Sequence, residues 1–340
     1  MDTSYINRLI MDAMKDGFFP GAAISIGDKN GEIFRNHYGF RALYPEKLPL
    51  RQSTLFDLAS LTKIISTTMV TLALVEGGKL SLDDTLGIFL DTPEEKQNIS
   101  IRHLMTHTSG LPAHKPLYDL AKTPGDVYCK ILEQPILSSI GTNVIYSCLG
   151  FILLGKICET VGNASLDELA HNYVFKPLGL KTATYNPCAV PYRFAATEYC
   201  SLLSKHLCGV VHDENARFMG GVSGNAGIFA DINDCATLAV MFAQKGKGIV
   251  SQAVFETAIQ NHTSHCSEGR GLGFAIKESA YGSFYGHTGF TGTSILVDAK
   301  TSQYIVFLTN RVHPTRDNNR LADFRGILHE CCVREYGKLT

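Results

Sequence analysis

The sequence predicts a mixed α/β (α+β) fold: one antiparallel sheet assembled from both ends of the chain and flanked by helices, with a mostly helical second lobe between. Three observations predict it. Strand-like segments gather near the two termini, and the stretch between them is mainly helical in pattern. The chain has 340 residues, 45% of them apolar, which is about two domains' worth and enough for a large core. The expected division gives residues 1–65 and 215–340 to the sheet domain and 66–214 to the helical lobe, with a cleft where the two meet.

Taken in order, a first helix over residues 5–15 stops at Gly17. Residues 21–27 and 32–39 follow as strands, and the intervening Asp28-Lys29-Asn30-Gly31 carries the turn chemistry of a hairpin. The middle of the chain brings helices at 61–76, ended by Gly77-Gly78, and at 101–106, 149–161 and 166–173. Ser165 and Glu168 form a capping box for the last of these. Four strand-like segments, 273–277, 282–287, 293–298 and 303–308, then precede a closing helix over 321–336.

Composition removes several classes of function. With 31 Lys plus Arg against 32 Asp plus Glu, the net charge of −1 offers no basic field for phosphates, so no nucleic-acid partner is expected. The longest apolar runs, such as 70–75, fall far short of the roughly 20 residues that cross a bilayer, and no membrane span is expected. The opening Met1–Ile10 has no apolar leader, which makes the cytoplasm the expected location. Ten cysteines, at 129, 148, 158, 188, 200, 208, 235, 266, 331 and 332, include no C-x-x-C pair. They are expected to be free thiols rather than a zinc framework, with Cys331-Cys332 on a helix surface.

The chemistry is carried by three short motifs. In Ser60-Leu61-Thr62-Lys63 one helical turn brings a hydroxyl and an amine onto the same face, where the amine can take the hydroxyl's proton if burial keeps it neutral. Tyr146-Ser147-Cys148 precedes an apolar helix. His287-Thr288-Gly289-Phe290 ends one strand and turns into the next, offering small residues and backbone N–H groups beside a sheet edge.

In these motifs, in their order and in their flanks, the chain resembles the serine β-lactamase and penicillin-binding-protein superfamily, in its branch of class C β-lactamases, D,D-peptidases and carboxylesterases. Ser60-Leu61-Thr62-Lys63 is similar to the family S-x-x-K, Tyr146-Ser147-Cys148 to Y-S-N, and His287-Thr288-Gly289 to K-T-G in its H-T-G form. The flanks that agree are Phe19-Pro20-Gly21-Ala22-Ala23, the stretch from Leu104 to Pro112, and Gly220-Gly221-Val222-Ser223-Gly224-Asn225-Ala226-Gly227. The resemblance covers nearly the whole chain and implies the β-lactamase/transpeptidase-like fold. It implies further that Ser60 attacks a carbonyl, that Lys63 and Tyr146 share the proton transfers with either as the base, and that the N–H groups of Ser60 and Phe290 hold the oxyanion. Water would then release the acyl-enzyme. His287, Thr288, Gly289, Phe290 and Cys148 would line the substrate site. The partner would be a small-molecule or peptide substrate, with β-lactams among the candidates and no cofactor or metal.

Two departures shift that expectation. Cys148 stands where the family usually has Asn, and a thiol hydrogen-bonds a substrate amide poorly, which favours esters or D-amino-acid peptides over β-lactams. His287 stands for Lys, replacing a permanent cation with a group only partly charged near neutrality. The alternative of a different kind is a catalytically silent ligand-binding or scaffold protein.

Other constellations carry blander expectations. His103 and His107 have an i,i+4 metal-like spacing without the zincin Glu, so a structural role is expected. His212-Asp213-Glu214-Asn215 is expected to be a polar loop near the cleft mouth. Ser223 lies in a G-x-S-x-N stretch with no preceding α/β-hydrolase strand, so it is not a nucleophile.

Overall fold

The computed structural model describes residues 3–187, 193–279 and 282–336; Cys188 lies outside them. The strands are β1 (Gly21–Asp28), β2 (Gly31–Ala42), β3 (Leu48–Pro49), β4 (Phe56–Asp57), β5 (Thr184–Tyr185), β6 (Ile228–Ala230), β7 (Ala275–Ser279), β8 (Gly282–Thr288), β9 (Ser294–Asp298) and β10 (Tyr304–Thr309). A two-residue hairpin, Tyr199–Cys200 with Lys205–His206, stands apart. Seven strands make one antiparallel sheet in the order β3-β2-β1-β10-β9-β8-β7, and β4-β6-β5 form a smaller one. The two ends of the chain meet where β1 pairs with β10, from Ala22 opposite Thr309 to Gly27 opposite Tyr304.

Both central strands are buried on both faces, and the period of two sorts their side chains between two cores. Ile24, Ile26, Ile305 and Phe307 face α1 (Thr3–Lys15) and the closing helix Leu321–Tyr336, packing with Ile6, Ile10, Phe324 and Leu328. Ala23, Val306 and Leu308 face the other way, into a larger core. That core takes in Phe242 of the helix Ile232–Ala243 and continues through α2 (Thr68–Glu76) and α3 (Cys148–Gly162). Hereafter α4 is Leu166–Ala170, α5 is Ile232–Ala243 and α6 is Leu321–Tyr336.

Several elements differ from the sequence expectation. The helix expected over 61–76 contains a π-helical turn, Lys63–Thr67, before α2 begins, and the one expected over 166–173 is α4 followed by a second π-helical turn, His171–Phe175. The strand expected at 273–277 is β7, two residues later, because Gly273 takes a φ of +82° that ends the preceding turn. The helices α5 and Gln252–Ala258 were not expected; α5 is buried on nearly all sides, so its sequence lacks an amphipathic stripe. Cys331 and Cys332 are buried between α6 and the sheet rather than on a helix surface, and none of the nine described cysteines forms a disulfide. Among the described residues no single helix is long and apolar enough to cross a membrane.

Candidate active site

Ser60 sits just past β4, in the turn that starts the helix. Leu58 donates its N–H to Ile228 O at 2.9 Å, which fastens this segment to β6. Ala59 then adopts a φ of +46°, a left-handed conformation that a residue with a Cβ rarely takes, so something must hold it there. The buried carboxylate of Asp57 does so: Oδ1 accepts the Ala59 N–H at 2.8 Å and Oδ2 the His212 N–H at 2.7 Å. Burial raises the Asp57 pKa in spite of these donors. The helix opens at Leu61, as expected from the sequence, and the Ser60 carbonyl receives the Lys63 N–H at 3.1 Å.

Lys63 is fully buried, and its ammonium has three acceptors. Nζ donates to Ser60 Oγ at 2.9 Å, to the Asn225 carbonyl at 3.0 Å and to Cys148 Sγ at 3.5 Å. The Tyr146 hydroxyl interacts with the side chains of both Lys63 and Ser60, so the three groups expected from sequence form one unit. Burial works against the ammonium, but the ionisable Cys148 and Tyr146 beside it more than offset this and hold Lys63 above its ordinary value. Tyr146 is also raised, by its burial foremost, with the Lys63 charge pulling the other way. The resting proton is therefore on Lys63 and the phenol is neutral.

Sequence gives no sign of what else surrounds this pair. Asn225 acts through its backbone carbonyl, which carries no side-chain signal. The His107 ring lies 4.6 Å from the Tyr146 ring, and the Arg270 guanidinium 5.3 Å from the same ring. His107 accepts the Ser147 N–H on Nδ1 at 3.0 Å, and its burial pushes its pKa well below the usual value. Ser147 is the N-cap of α3: Oγ accepts the Gly150 N–H at 3.1 Å and donates to Pro112 O at 2.7 Å.

The β8–β9 turn is stitched to the Ser60 segment. Thr291 Oγ1 donates to Asp57 O at 2.7 Å and Thr293 Oγ1 to Leu58 O at 3.0 Å. A Cβ added at Gly289 would stand 2.1 Å from Thr293 Oγ1 and 2.6 Å from Leu58 O, so this close approach requires glycine. Thr288, Gly289 and Phe290 thus lie along the cavity beside Ser60. His287 is buried, and burial, together with Lys63 and Arg270, pushes it down to about 3. Its Nδ1 lies 2.7 Å from the Thr288 carbonyl, which can only accept, so Nδ1 carries the proton and the unpartnered Nε2 presents a lone pair. His287 is neutral at neutral pH, not partly charged as expected.

Of the eight expected site residues, seven, Ser60, Tyr146, Cys148 and 287–290, line one cavity of about 720 Å³. Lys63 lies beneath its wall. The remaining candidates are structural. His103 Nδ1 accepts the Ser100 N–H in a capping box, Asp213 caps the helix Glu214–Phe218, and Ser223 donates to Asn225 Oδ1 at 2.7 Å. His212, Asp213 and Glu214 do line the cavity, with the His212 ring stacked 5.6 Å from Phe290. Among the described residues there is no cluster that could hold a metal ion.

Comparison with known proteins agrees with this fold. A protein of Escherichia coli (strain K12) named a D-alanyl-D-alanine carboxypeptidase is 31% identical over 344 residues, covering 87% of this chain and 79% of its own. An N-acetylmuramyl-L-alanine amidase of Bacillus subtilis (strain 168) is 31% identical over 347 residues, covering 87% and 78%. In fold, the chain is similar to the octameric penicillin-binding protein homologue from Pyrococcus abyssi, with a TM-score of 0.79 and 21% identity over 97% of this chain and 78% of that one. It is equally similar to EstCE1, a hydrolase with promiscuous acyltransferase activity, with a TM-score of 0.79 and 22% identity over 96% and 97%. The family model described as Beta-lactamase matches residues 6–330, and the chain belongs to the Beta-lactamase family.

Proposed function

We propose that this protein, a serine hydrolase of the β-lactamase-like superfamily, cleaves esters and amides of small-molecule or peptide substrates through an acyl-enzyme on Ser60. The observation that carries this is the fully buried Lys63 Nζ, 2.9 Å from Ser60 Oγ and 5.1 Å from the centre of the Tyr146 ring. A hydroxyl so placed gives up its proton to the pair as its oxygen bonds to the carbonyl carbon. The pair hands that proton to the leaving oxygen or nitrogen as the old bond breaks. Water then repeats the sequence, losing its proton to the pair and releasing the acid from Ser60.

The negative oxygen of each tetrahedral intermediate is held by the N–H groups of Ser60 and Phe290, whose segments are tied together by the bonds from Thr291 and Thr293 to Asp57 and Leu58. Thr288 and Gly289 flank the substrate. Cys148 supplies no amide to a β-lactam side chain, which supports esterase or D-amino-acid peptidase activity ahead of β-lactam turnover. The names of the carboxypeptidase, amidase and esterase relatives support carbonyl chemistry of this kind.

Intact-mass spectrometry after mixing with p-nitrophenyl acetate, penicillin G and nitrocefin tests the proposal. An acyl adduct or turnover that disappears in Ser60→Ala supports it, and the reactive compound ranks ester against lactam. An unmodified protein with no turnover of any of the three favours a silent binding protein instead.

A further inference from the structure

The cavity beside Ser60 does not end at the β8–β9 turn. It continues along β8 past Gly286 and its cross-strand partner Ala275, whose small side chains leave a channel, and reaches Lys277, Arg325 and His329 between β7 and α6. Lys277 stands opposite Phe284, four residues before Thr288, which at about 3.3 Å per residue is about 13 Å along the strand. Arg325 and His329 are i and i+4 on α6 and share one face.

These groups lack partners. Among the described residues neither Lys277 nor Arg325 makes an ion pair, and the nearby Glu268 is taken by Arg270. Arg325 Nε and His329 Nε2 are buried with no hydrogen-bond partner. Burial and the neighbouring Arg311 push Arg325 down to about 10, and burial with Arg325 and Arg270 lowers Lys277. Lys277 is exposed to solvent, whereas the unpartnered Arg325 Nε and His329 Nε2 beside it are buried, an arrangement that an arriving anion satisfies. The neutral His287 cannot fill that need closer to Ser60.

We propose that the Lys277–Arg325–His329 crevice receives a terminal carboxylate or phosphate of the substrate, so that the preferred substrates are elongated esters or amides ending in an anion. This deepens the hydrolase proposal and rests on it for the position of the scissile bond.

The test compares kcat/KM for p-nitrophenyl monoesters of succinate, adipate and suberate with that for the same esters capped as neutral methyl esters. The expected result is a preference of about tenfold or more for the free acid at one of the longer chains, as a charge-assisted pair requires. Lys277→Gln and Arg325→Gln collapse this ratio, Arg325→Lys keeps most of it and Lys277→Glu inverts it. A ratio near one in the unaltered protein, or one these substitutions leave unmoved, overturns the proposal. Calorimetry with free suberate and with hexyl phosphate separates the two readings and ranks the two anions. If no ester is turned over, the hydrolase proposal fails, while heat of suberate or hexyl phosphate binding that Lys277→Gln abolishes sustains the crevice. Absence of binding by both overturns it.

Discussion

At Ser60 the charge states of the neighbours follow from burial and from one another. Lys63 and Tyr146 are both held above their ordinary values, so in the resting enzyme neither is a free base near pH 7. Acylation requires a proton to leave the pair, and kcat/KM for p-nitrophenyl acetate is therefore expected to rise about tenfold per pH unit from pH 6 to 9. Because His287 is already neutral throughout this range, no break near pH 6.5 interrupts that rise; a break there that vanishes in His287→Gln would contradict its burial as the neutral form. At position 148, an Asn would give Lys63 an oxygen in place of a weakly accepting sulfur at 3.5 Å and would offer its amide to a lactam side chain. Cys148→Asn is accordingly expected to raise nitrocefin kcat/KM by about tenfold, equivalent to about 1.4 kcal/mol of transition-state binding. No gain would remove the missing amide as the reason. The residues Ser60, Lys63, Tyr146 and 287–290 were legible in the sequence because their side chains are the signal. Asn225 was not, since it contributes a main-chain carbonyl, and neither was the tautomer of His287, which is set by the Thr288 carbonyl.

Elements position these residues more by their ends than by their lengths. The middle residue of Tyr146-Ser147-Cys148 is the cap that fixes where α3 begins, so Ser147→Ala leaves the Gly150 N–H and the Pro112 carbonyl unpaired in a buried place. A loss of about 1–2 kcal/mol in unfolding free energy is expected by urea denaturation. The β8–β9 turn is more sensitive. Gly289→Ala has no room against Thr293 and Leu58, and separation of the turn from the Ser60 segment is expected to lower kcat about a hundredfold while the melting transition stays cooperative. An enzyme with unchanged kcat would show that this contact is not what aligns Phe290 with Ser60. Strands and amphipathic helices such as α1 were readable from their periods, and α6 was found at its observed bounds. α5 was hidden because it is apolar on nearly every side. The π-helical turn at Lys63–Thr67 was hidden because one extra residue per turn leaves no mark in an already buried stretch.

On the scale of the whole molecule, the same burial that silences histidines makes the fold sensitive to acid. His107 and His287 have folded pKa values far below the ordinary 6.5, so the unfolded chain binds protons that the folded one refuses. Stability is full above about pH 6.5 and falls as the pH drops below it, by about 1.4 kcal/mol per unit for each such group until the folded value is reached. A melting temperature that declines steeply from pH 7 to 5, and less steeply in His287→Gln, is expected. A flat profile would mean that these rings gain charge without unfolding. The two-ended sheet was legible because strand patterns cluster at the termini, but its stitching to the Ser60 segment, which joins residues more than two hundred positions apart, was not.

That closure by β1 and β10 also sets an order in time. During synthesis β1 emerges well before the strand that covers its inner edge, residues 29–303 being made between them. At about 5–20 residues per second the wait is on the order of half a minute. Throughout it the hairpin of β1 and β2 has one unpaired apolar edge, and Ser60 lacks the turn that aligns it. The nascent chain is thus inert as an enzyme, and open to strand pairing with its neighbours on a polysome, until β8, β9 and β10 are made.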